Sequence, residues 1–202
     1  DRVVLVDEKG QVLDGDDILL IWGRSLLAGD RLPGNRIVAT VMSNFGLERA
    51  LTDEGMEMVR CPVGDRSVWL AMKESGAALG GEQSGHIICS HYGVSGDGLL
   101  TGSHILAIAV ERQVQLSTLS HLERLPQILI NVPVARRRPF EDLPEVSKKL
   151  AETEDLLDTK GRVLLRYSGT EPLVRVMIEG EDQDEIEELA NGLAETARDE
   201  LG

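Results

Sequence analysis

Residues 36–76 read RIVATVMSNFGLERALTDEGMEMVRCPVGDRSVWLAMKESG, and two kinds of pattern alternate along them. The stretches 36–42 and 56–63 are rich in β-branched and apolar residues, which predicts buried strands. The stretches 47–51 and 67–74 have helical apolar spacing, and a glycine follows each of them. Strands and helices that alternate in this way predict an α/β fold, in the form of a βαβ layered domain with parallel strands.

The pattern continues on both sides of this stretch. The further elements predicted here are a hairpin over 3–6 and 11–13, a helix over 18–27 capped by Asp16 and Asp17, a strand over 86–89, and an apolar helix over 99–113 buried against the sheet.

The last third of the chain has a different order of elements. Strand, helix, two strands and helix are predicted over 128–134, 141–157, 162–167, 174–179 and 184–201. The final helix has the clearest pattern, because its apolar residues keep three- and four-residue spacing and Asp182 with Glu185 forms a capping box. The sequence therefore predicts an α/β domain that ends near residue 125 and a small α+β domain over 126–202.

The composition is that of a folded protein with an acidic surface. The chain has 202 residues, of which 42% are hydrophobic and 28% charged, and its formal net charge is −14. This charge makes nucleic acids and anionic membranes poor partners. Residues 179–202 contain ten acidic side chains and one arginine. Much of the negative charge therefore belongs to one solvated helix, and a small anionic ligand is not excluded.

The two cysteines, Cys61 and Cys89, show neither CxxC spacing nor a zinc-ligand pattern. They favour a reducing cytoplasm and no disulfide framework. No apolar run reaches the roughly 18 residues that a membrane-spanning helix needs. We therefore expect a cytoplasmic protein.

A dense set of anion-binding groups lies between the last two predicted strands, in Arg166-Tyr-Ser-Gly-Thr-Glu-Pro-Leu-Val-Arg175. A tight turn exposes backbone N–H groups, and the Ser168 and Thr170 hydroxyls add donors. Arg166 and Arg175 can hold a dianion in bidentate fashion. On this chemistry alone, a phosphate site and an ordinary hairpin with surface arginines are both open.

A second candidate site is the glycine-rich run Gly80-Gly-Glu-Gln-Ser-Gly-His86. Glycines let the backbone approach a ligand closely. Glu82 and Ser84 could bind neighbouring hydroxyls of a sugar. The simpler interpretation, a turn with a solvated Glu82 and a structural His86, stays open for this segment taken by itself.

Together, GGEQSGHII over 80–88 and RYSGTEPLVRVM over 166–177 resemble the sugar-binding and phosphate-binding loops of the α-D-phosphohexomutases. TVMSNFG over 40–46 and VGDR over 63–66 add to this resemblance, which spans essentially the whole chain. Within that family, Gln83 favours an enzyme that acts on glucosamine phosphates over one that acts on mannose or glucose phosphates. A non-catalytic module that binds sugar phosphates is the alternative of a different class.

The resemblance implies a reaction. In the family, an enzyme phosphoserine gives its phosphoryl group to the sugar phosphate, and the bisphosphate turns over before the other phosphate returns to the serine. A glucosamine 1,6-bisphosphate intermediate and Mg²⁺ are thus expected in the full-length enzyme. The partners expected are a small sugar phosphate and the N-terminal domains of the same protein, and a homodimer is left open.

The same resemblance implies how the chain relates to the family's domains. Asp1-Arg2 matches the end of the family's metal loop. Residues 1–15 are therefore expected to be the tail of the second family domain, residues 16–125 the sugar-binding third domain and residues 126–202 the phosphate-binding fourth. Without the serine domain, the chain is expected to be inactive by itself and to bind no metal tightly.

The resemblance also assigns roles to individual residues. Asp1 matches a Mg²⁺ ligand, and His86 matches a candidate proton shuttle, since imidazole exchanges protons near neutral pH. An electrostatic or structural role for His86 is equally open, and Arg66 could be a solvated cation. The substrate-binding residues expected are Glu82, Ser84, Gly64, Asp65 and Arg66. The phosphate-binding residues expected are Arg166, Ser168, Gly169, Thr170 and Arg175.

One residue departs from the family pattern. Tyr167 stands where the family usually has proline. Tyrosine permits the extended backbone before Ser168 but lacks the rigid proline ring. The pre-organisation of the phosphate loop is therefore a question for the structure.

Overall fold

The first 124 residues form one of two units in the computed structural model, which describes residues 1–202. The elements of this unit are β1 (Leu5–Val6), β2 (Val12–Leu13), α1 (Gly15–Ala28), β3 (Arg36–Thr40), α2 (Phe45–Asp53), β4 (Glu57–Cys61), α3 (Asp65–Ser75), β5 (Leu79–Gly81), β6 (Ile87–Cys89) and α4 (Gly98–Arg112).

Four of these strands form a mixed sheet in the order β4-β3-β5-β6, while β1 and β2 pair as the predicted hairpin. β3 is parallel to both β4 and β5, which confirms the α/β prediction. β5 and β6 are antiparallel, so the prediction of parallel strands holds for β3, β4 and β5 but not for β6. The reason is the short connection over 82–86, which can close a hairpin but is too short for a parallel crossover.

Helix α1 is buried on nearly every side, and Ile18, Trp22 and Leu26 belong to the main core. The predicted cap of this helix was wrong by two residues. Asp14 is the N-cap, and its side chain accepts hydrogen bonds from the N–H groups of Asp16 and Asp17. Only Asp14 has the extended backbone that an N-cap needs, so the two following aspartates lie inside the first turn.

Helix α4 was expected to be buried, and the structure corrects this. Ile105 and Ile108 pack into the core, but Leu99 and Val110 are 87% and 76% exposed. The helix is apolar on more than one face, and the sequence does not show which face lies against the sheet.

Asp16 links the start of α1 to the loop after β3. The side chain is fully buried, and Oδ2 accepts the N–H of Asn44 at 2.9 Å. Burial raises the pKa of Asp16 from 3.8 to about 6, and the hydrogen bond from Asn44 opposes that rise. The folded state therefore favours the protonated carboxyl, and ionising it at neutral pH costs stability.

This burial predicts an unusual pH dependence. Because the pKa of Asp16 is higher in the folded state than in the unfolded state, its contribution to stability is present below pH 4 and is lost as the pH rises to about 6. Relative to the Asp16→Asn variant, the free energy of unfolding should fall on the order of 2 kcal/mol across that window and then stay constant. Urea unfolding of both proteins at pH 4, 5, 6 and 7 measures this. A difference that does not change with pH would contradict it.

Residues 125–202 form the second unit around a three-stranded antiparallel sheet in the order β7-β9-β8. Its elements are β7 (Gln127–Pro133), α5 (Pro144–Leu157), β8 (Gly161–Tyr167), β9 (Leu173–Gly180) and α6 (Gln183–Leu201). Val174, Val176 and Ile178 belong to the same core as apolar residues of α5 and α6. This arrangement confirms the predicted order of elements.

A capping aspartate and a proline explain where the two helices of this unit begin. α6 has Asp182 as its N-cap, which accepts hydrogen bonds from the N–H groups of Asp184 and Glu185. α5 begins at Pro144 instead of 141, after a separate 3₁₀ turn over Phe140–Asp142. Proline favours the first helical position and disfavours a helical residue before it, so the predicted single helix is interrupted there. None of the helices in the structure has the length and apolar character to cross a membrane.

Candidate functional site

The connection between β5 and β6 is a tight turn held by its own backbone. The N–H of Gly85 donates to the carbonyl of Glu82 at 2.9 Å, and the N–H of Glu82 donates to the carbonyl of His86 at 3.0 Å. Gly85 has a φ of 89°, in the left-handed region that favours glycine. We call residues 80–88 the sugar loop, after the family loop that they resemble.

Two other segments fix the sugar loop from outside. The N–H of Gly15 donates to the carbonyl of Gln83 at 2.9 Å, and the N–H of Val3 donates to the carbonyl of Gly85 at 3.0 Å. A Cβ atom on Gly15 would lie 1.9 Å from the Glu82 carbonyl oxygen, and one on Gly85 would lie 2.0 Å from that of Val3. These contacts explain why both positions need glycine.

An open groove of about 500 Å³ lies beside the turn. Its lining residues are Asp14, Thr40, Met42, Val63, Glu82, Gln83 and Ser84. Glu82 is 9% exposed, while Ser84 is on the surface. The sequence did not predict that Asp14 and Thr40 line this groove. Asp14 caps α1 and Thr40 ends β3, and neither local role indicates a position beside the sugar loop.

A second groove brings together most of the remaining predicted residues of this unit. Its lining residues are Asp1, Arg2, Val63, Gly64, Asp65, Glu82 and His86. Arg66 is not among them. It is exposed in the first turn of α3, and its backbone N–H donates to Asp65 Oδ1 at 2.7 Å. Glu82 therefore faces both grooves, while Arg66 has the position of a surface cation.

His86 is held between a carboxylate and a glycine. Its Nδ1 lies 3.4 Å from Asp1 Oδ2, and the side chain of His86 is 9% exposed. A Cβ atom on Gly96 would lie 2.6 Å from the ring atoms Cε1 and Nε2. Gly96 thus leaves the space that the imidazole ring occupies, a role that sequence reasoning missed because nothing in its local sequence marks it.

The structure gives no support to a nucleophilic thiol in this unit. Burial raises the pKa of Cys61 to about 11, and the charge of Glu82 adds to the rise. Burial also raises the pKa of Cys89. Both thiols are free, buried and protonated at neutral pH.

In the second unit, the loop between β8 and β9 forms a compact turn. The N–H of Ser168 donates to the carbonyl of Leu173 at 2.9 Å, and the N–H of Glu171 donates to Ser168 Oγ at 3.3 Å. Ser168 is buried, whereas Gly169 and Thr170 are exposed. Ser168 thus braces the turn from inside, and the next two residues are open to solvent. We call residues 166–175 the phosphate loop.

Two arginines face each other across the strands that carry this loop. Arg166 on β8 is directly paired with Arg175 on β9. Burial and the charge of Arg175 lower the pKa of Arg166. Arg175 Nη2 lies 3.3 Å from Glu171 Oε2, while its buried Nε has no hydrogen-bond partner. Like charges in opposed positions destabilise a sheet, and a bound dianion would relieve that repulsion.

Tyr167 lacks the rigid ring of the proline that the family usually has, but its contacts hold it in place. Its hydroxyl donates to the carbonyl of Arg138 at 2.7 Å and accepts the N–H of the same residue at 3.1 Å. Its ring stacks on Phe140 with 4.8 Å between the centroids. Arg137 donates to the carbonyls of Ser168 and Glu171. Sequence reasoning missed Arg137 and Phe140, although the run Arg136-Arg137-Arg138 marks a local excess of positive charge.

Family comparison divides the chain at the same region as the fold. Residues 14–125 match "Phosphoglucomutase/phosphomannomutase, alpha/beta/alpha domain III". Residues 129–196 match "Phosphoglucomutase/phosphomannomutase, C-terminal domain". The first match alone covers more than half of the chain.

Curated relatives carry a more specific name. Phosphoglucosamine mutase of Desulfovibrio desulfuricans is 49% identical over 202 residues, which are 100% of this chain and 45% of that protein. Phosphoglucosamine mutase of Chlamydia trachomatis serovar L2 is 44% identical over 203 residues, which are 100% of this chain and 44% of that protein. The chain thus spans a little under half the length of these relatives.

Solved structures share the fold at lower identity. Aspergillus fumigatus N-acetylphosphoglucosamine mutase superposes with a TM-score of 0.76 at 20% identity, over 98% of this chain and 46% of that chain. The same enzyme in complex with GlcNAc-6P and magnesium superposes with a TM-score of 0.73 at 20% identity, over 96% and 49%.

Proposed function

Because the chain belongs to the phosphoglucomutase/phosphomannomutase family, we propose that the full-length protein is a phosphoglucosamine mutase, which interconverts glucosamine 6-phosphate and glucosamine 1-phosphate. The observation that carries this proposal is the opposed pair Arg166 and Arg175 beside the exposed Gly169 and Thr170. That set of donors suits a phosphate group. The identity of 44–49% to the two phosphoglucosamine mutases named above supports the same activity.

The phosphate loop is proposed to anchor whichever phosphate is not reacting. Arg166 and Arg175 would bind its oxygens, and the backbone of Gly169 with the hydroxyl of Thr170 would add neutral donors. Ser168 is buried. It would shape the turn, and its hydroxyl would donate a hydrogen bond to the phosphate. A fixed anchor lets the sugar bind in two orientations, since either of its phosphates can occupy the same donors.

The sugar loop is proposed to bind the hexosamine ring. Glu82 would accept hydrogen bonds from ring hydroxyls, and Ser84 would donate or accept them, in either orientation of the sugar. Asp14 lines the same groove as Glu82. Asp14 is paired with Arg124 at 2.8 Å, so Glu82 is the carboxylate that would attract a protonated amino group in preference to a neutral hydroxyl. This supports glucosamine phosphates over glucose or mannose phosphates.

His86 is proposed to exchange a proton with the reacting hydroxyl, and Asp1 would orient its ring through Nδ1. Asp1 is also the residue predicted to bind Mg²⁺. A hard cation needs about six oxygen ligands, and residues 1–202 place no group of three acidic, histidine or cysteine side chains around a common point. Asp1 would therefore be one ligand among several, and magnesium use by the full-length protein stays a prediction.

The substrate proposal can be tested by comparing three sugar phosphates. We expect the full-length protein to convert glucosamine 6-phosphate with a kcat/KM at least tenfold above that for glucose 6-phosphate or mannose 6-phosphate, since about 1.4 kcal/mol of amine–carboxylate attraction gives that factor. Steady-state kinetics with a bisphosphate primer measures it. A preference for mannose or glucose phosphate would favour a sister mutase, and no turnover of any of them would favour a binding module.

The packing of Gly96 predicts a separate effect on turnover. Gly96→Ala places a methyl group against the His86 ring and should lower kcat by about tenfold, since misplacing a proton-transfer group removes part of its catalytic contribution. Gly93→Ala is the matched control, because a Cβ atom there meets nothing within 4 Å. Equal kcat values for the two variants would show that the orientation of His86 is unimportant for catalysis.

A further inference from the structure

Tyr167 ties the end of β8 to the segment that precedes α5. Its ring lies nearly parallel to that of Phe140, with an interplanar angle of 6°. Its hydroxyl forms two hydrogen bonds with the backbone of Arg138. Three contacts with two residues leave the tyrosine ring in one position, so it can serve as a platform for a neighbouring group.

The guanidinium group of Arg137 lies on that platform. Its central carbon is 5.8 Å from the centroid of the Tyr167 ring, within the range of a cation–π contact. Its Nη2 donates to the carbonyl of Ser168 and to that of Glu171. These two carbonyls lie at the two ends of the turn in the phosphate loop, so one guanidinium group braces both.

This brace has a directional consequence. The C=O and the following N–H of a trans peptide point in opposite directions, and the chain contains no cis peptide bond. With the Ser168 carbonyl directed to Arg137, the N–H of Gly169 points away from Arg137. The brace thus orients a backbone donor that the proposed function assigns to the phosphate.

Resting on that proposed function, we propose that Arg137 and Tyr167 are positioning residues that hold the phosphate loop in its phosphate-binding conformation. In the family that this chain resembles, a proline usually stands at this position and restricts the loop. Here Arg137 and Tyr167 restrict it instead. The alternative is that Arg137 only attracts the phosphate through its positive charge. The two roles differ in what they require. Bracing needs the planar guanidinium, which contacts the ring of Tyr167 and donates to two carbonyls, whereas attraction needs only a positive charge.

Substitution at Arg137 separates these roles. The probe is glucosamine 6-phosphate, titrated into the ¹⁵N-labelled 202-residue chain while the amide signals of Gly169 and Thr170 are followed. We expect Arg137→Ala to raise the Kd about tenfold and Arg137→Lys to raise it nearly as much, because lysine lacks the planar fork that donates to both carbonyls in this geometry. Arg136→Ala, which removes the same charge from the exposed neighbour, should stay within about twofold.

Substitution at Tyr167 supplies a rescue test. β8 is an edge strand, and Ser168 N–H donates to β9, so the N–H of Tyr167 points outward. Proline there removes no hydrogen bond of the sheet. In the Tyr167→Pro background, Arg137→Ala should raise the Kd by less than about threefold, since the proline ring then restricts the loop. Tyr167→Phe, which keeps the ring and loses only its hydroxyl, covers the case in which the proline variant does not fold.

For Tyr167→Phe we expect a Kd about threefold above that of the unsubstituted chain, since the loss of two hydrogen bonds loosens the ring without removing it. Wild-type affinity in Arg137→Lys, or an undiminished effect of Arg137→Ala in the proline background, would overturn the bracing role. Arg166→Ala serves as the reference for the proposed function. If Arg166→Ala leaves the Kd unchanged, the proposed function fails; if it weakens binding while Arg137→Ala does not, only this inference fails.

Discussion

Replacing Arg166 with alanine is expected to lower kcat/KM for glucosamine 6-phosphate in the full-length protein at least a hundredfold. Each hydrogen bond between charged groups contributes about 1.5–3 kcal/mol, and a bidentate contact supplies two. A loss of about 3 kcal/mol corresponds to a factor of more than a hundred. The phosphate is proposed to stay bound through both halves of the reaction, so both the forward and the reverse direction should be affected.

The effect of this substitution can be separated from an effect on folding. Arg166 lies opposite Arg175, so alanine removes a like-charge pair and the unfolding midpoint should stay within about 3 °C of the original. Arg198→Ala removes the same charge from an exposed position on a different element, α6, and should leave kcat/KM within about twofold. Near wild-type kinetics in Arg166→Ala would contradict the assignment of the phosphate loop.

The second large effect is expected at Gly15, where alanine should destabilise the first unit by about 3 kcal/mol. In a helix, glycine to alanine ordinarily stabilises by up to about 1 kcal/mol. The sign reverses here because the new Cβ atom would lie 1.9 Å from the Glu82 carbonyl oxygen. Either α1 or the sugar loop must move, and the hydrogen bond from Gly15 to Gln83 would be lost with that movement.

Gly102→Ala is the matched control for this prediction. Gly102 lies within α4, and the nearest atom to a Cβ there is Val3 Cγ2 at 3.5 Å, an ordinary contact. Alanine at this position should leave stability unchanged or raise it by up to about 1 kcal/mol. Urea unfolding of both variants measures the difference. If alanine changes the free energy of unfolding in the same direction at both positions, the close packing of the sugar loop against α1 is not what restricts Gly15.

The elements that the sequence predicted well are those whose patterns are local. α6 keeps its apolar spacing over five turns and has its own cap at Asp182, so both its existence and its start were predictable. β5 was missed because Gly80 and Gly81 carry no side chains to form a pattern. Its strand conformation comes from pairing with β3 and β6, which is tertiary information.

The same division holds for the candidate sites. Both loops were recognisable because several ligand-binding groups are concentrated in a few residues. Gly96 and Arg137 were not, because each acts through a contact with a distant part of the chain. Arg137 is 31 positions from Ser168, whose carbonyl it braces. Tyr167 could be identified in the sequence as a departure from the family pattern, but its partners could not.

The central claim is that the phosphate loop binds the phosphate group of glucosamine 6-phosphate. The most direct test is to titrate this compound into the ¹⁵N-labelled 202-residue chain. We predict that the amide signals of Gly169 and Thr170 shift with glucosamine 6-phosphate and also with inorganic phosphate, and that Arg166→Ala weakens the binding of both. No shift in the phosphate loop with either ligand, or unchanged binding in Arg166→Ala, would contradict the claim.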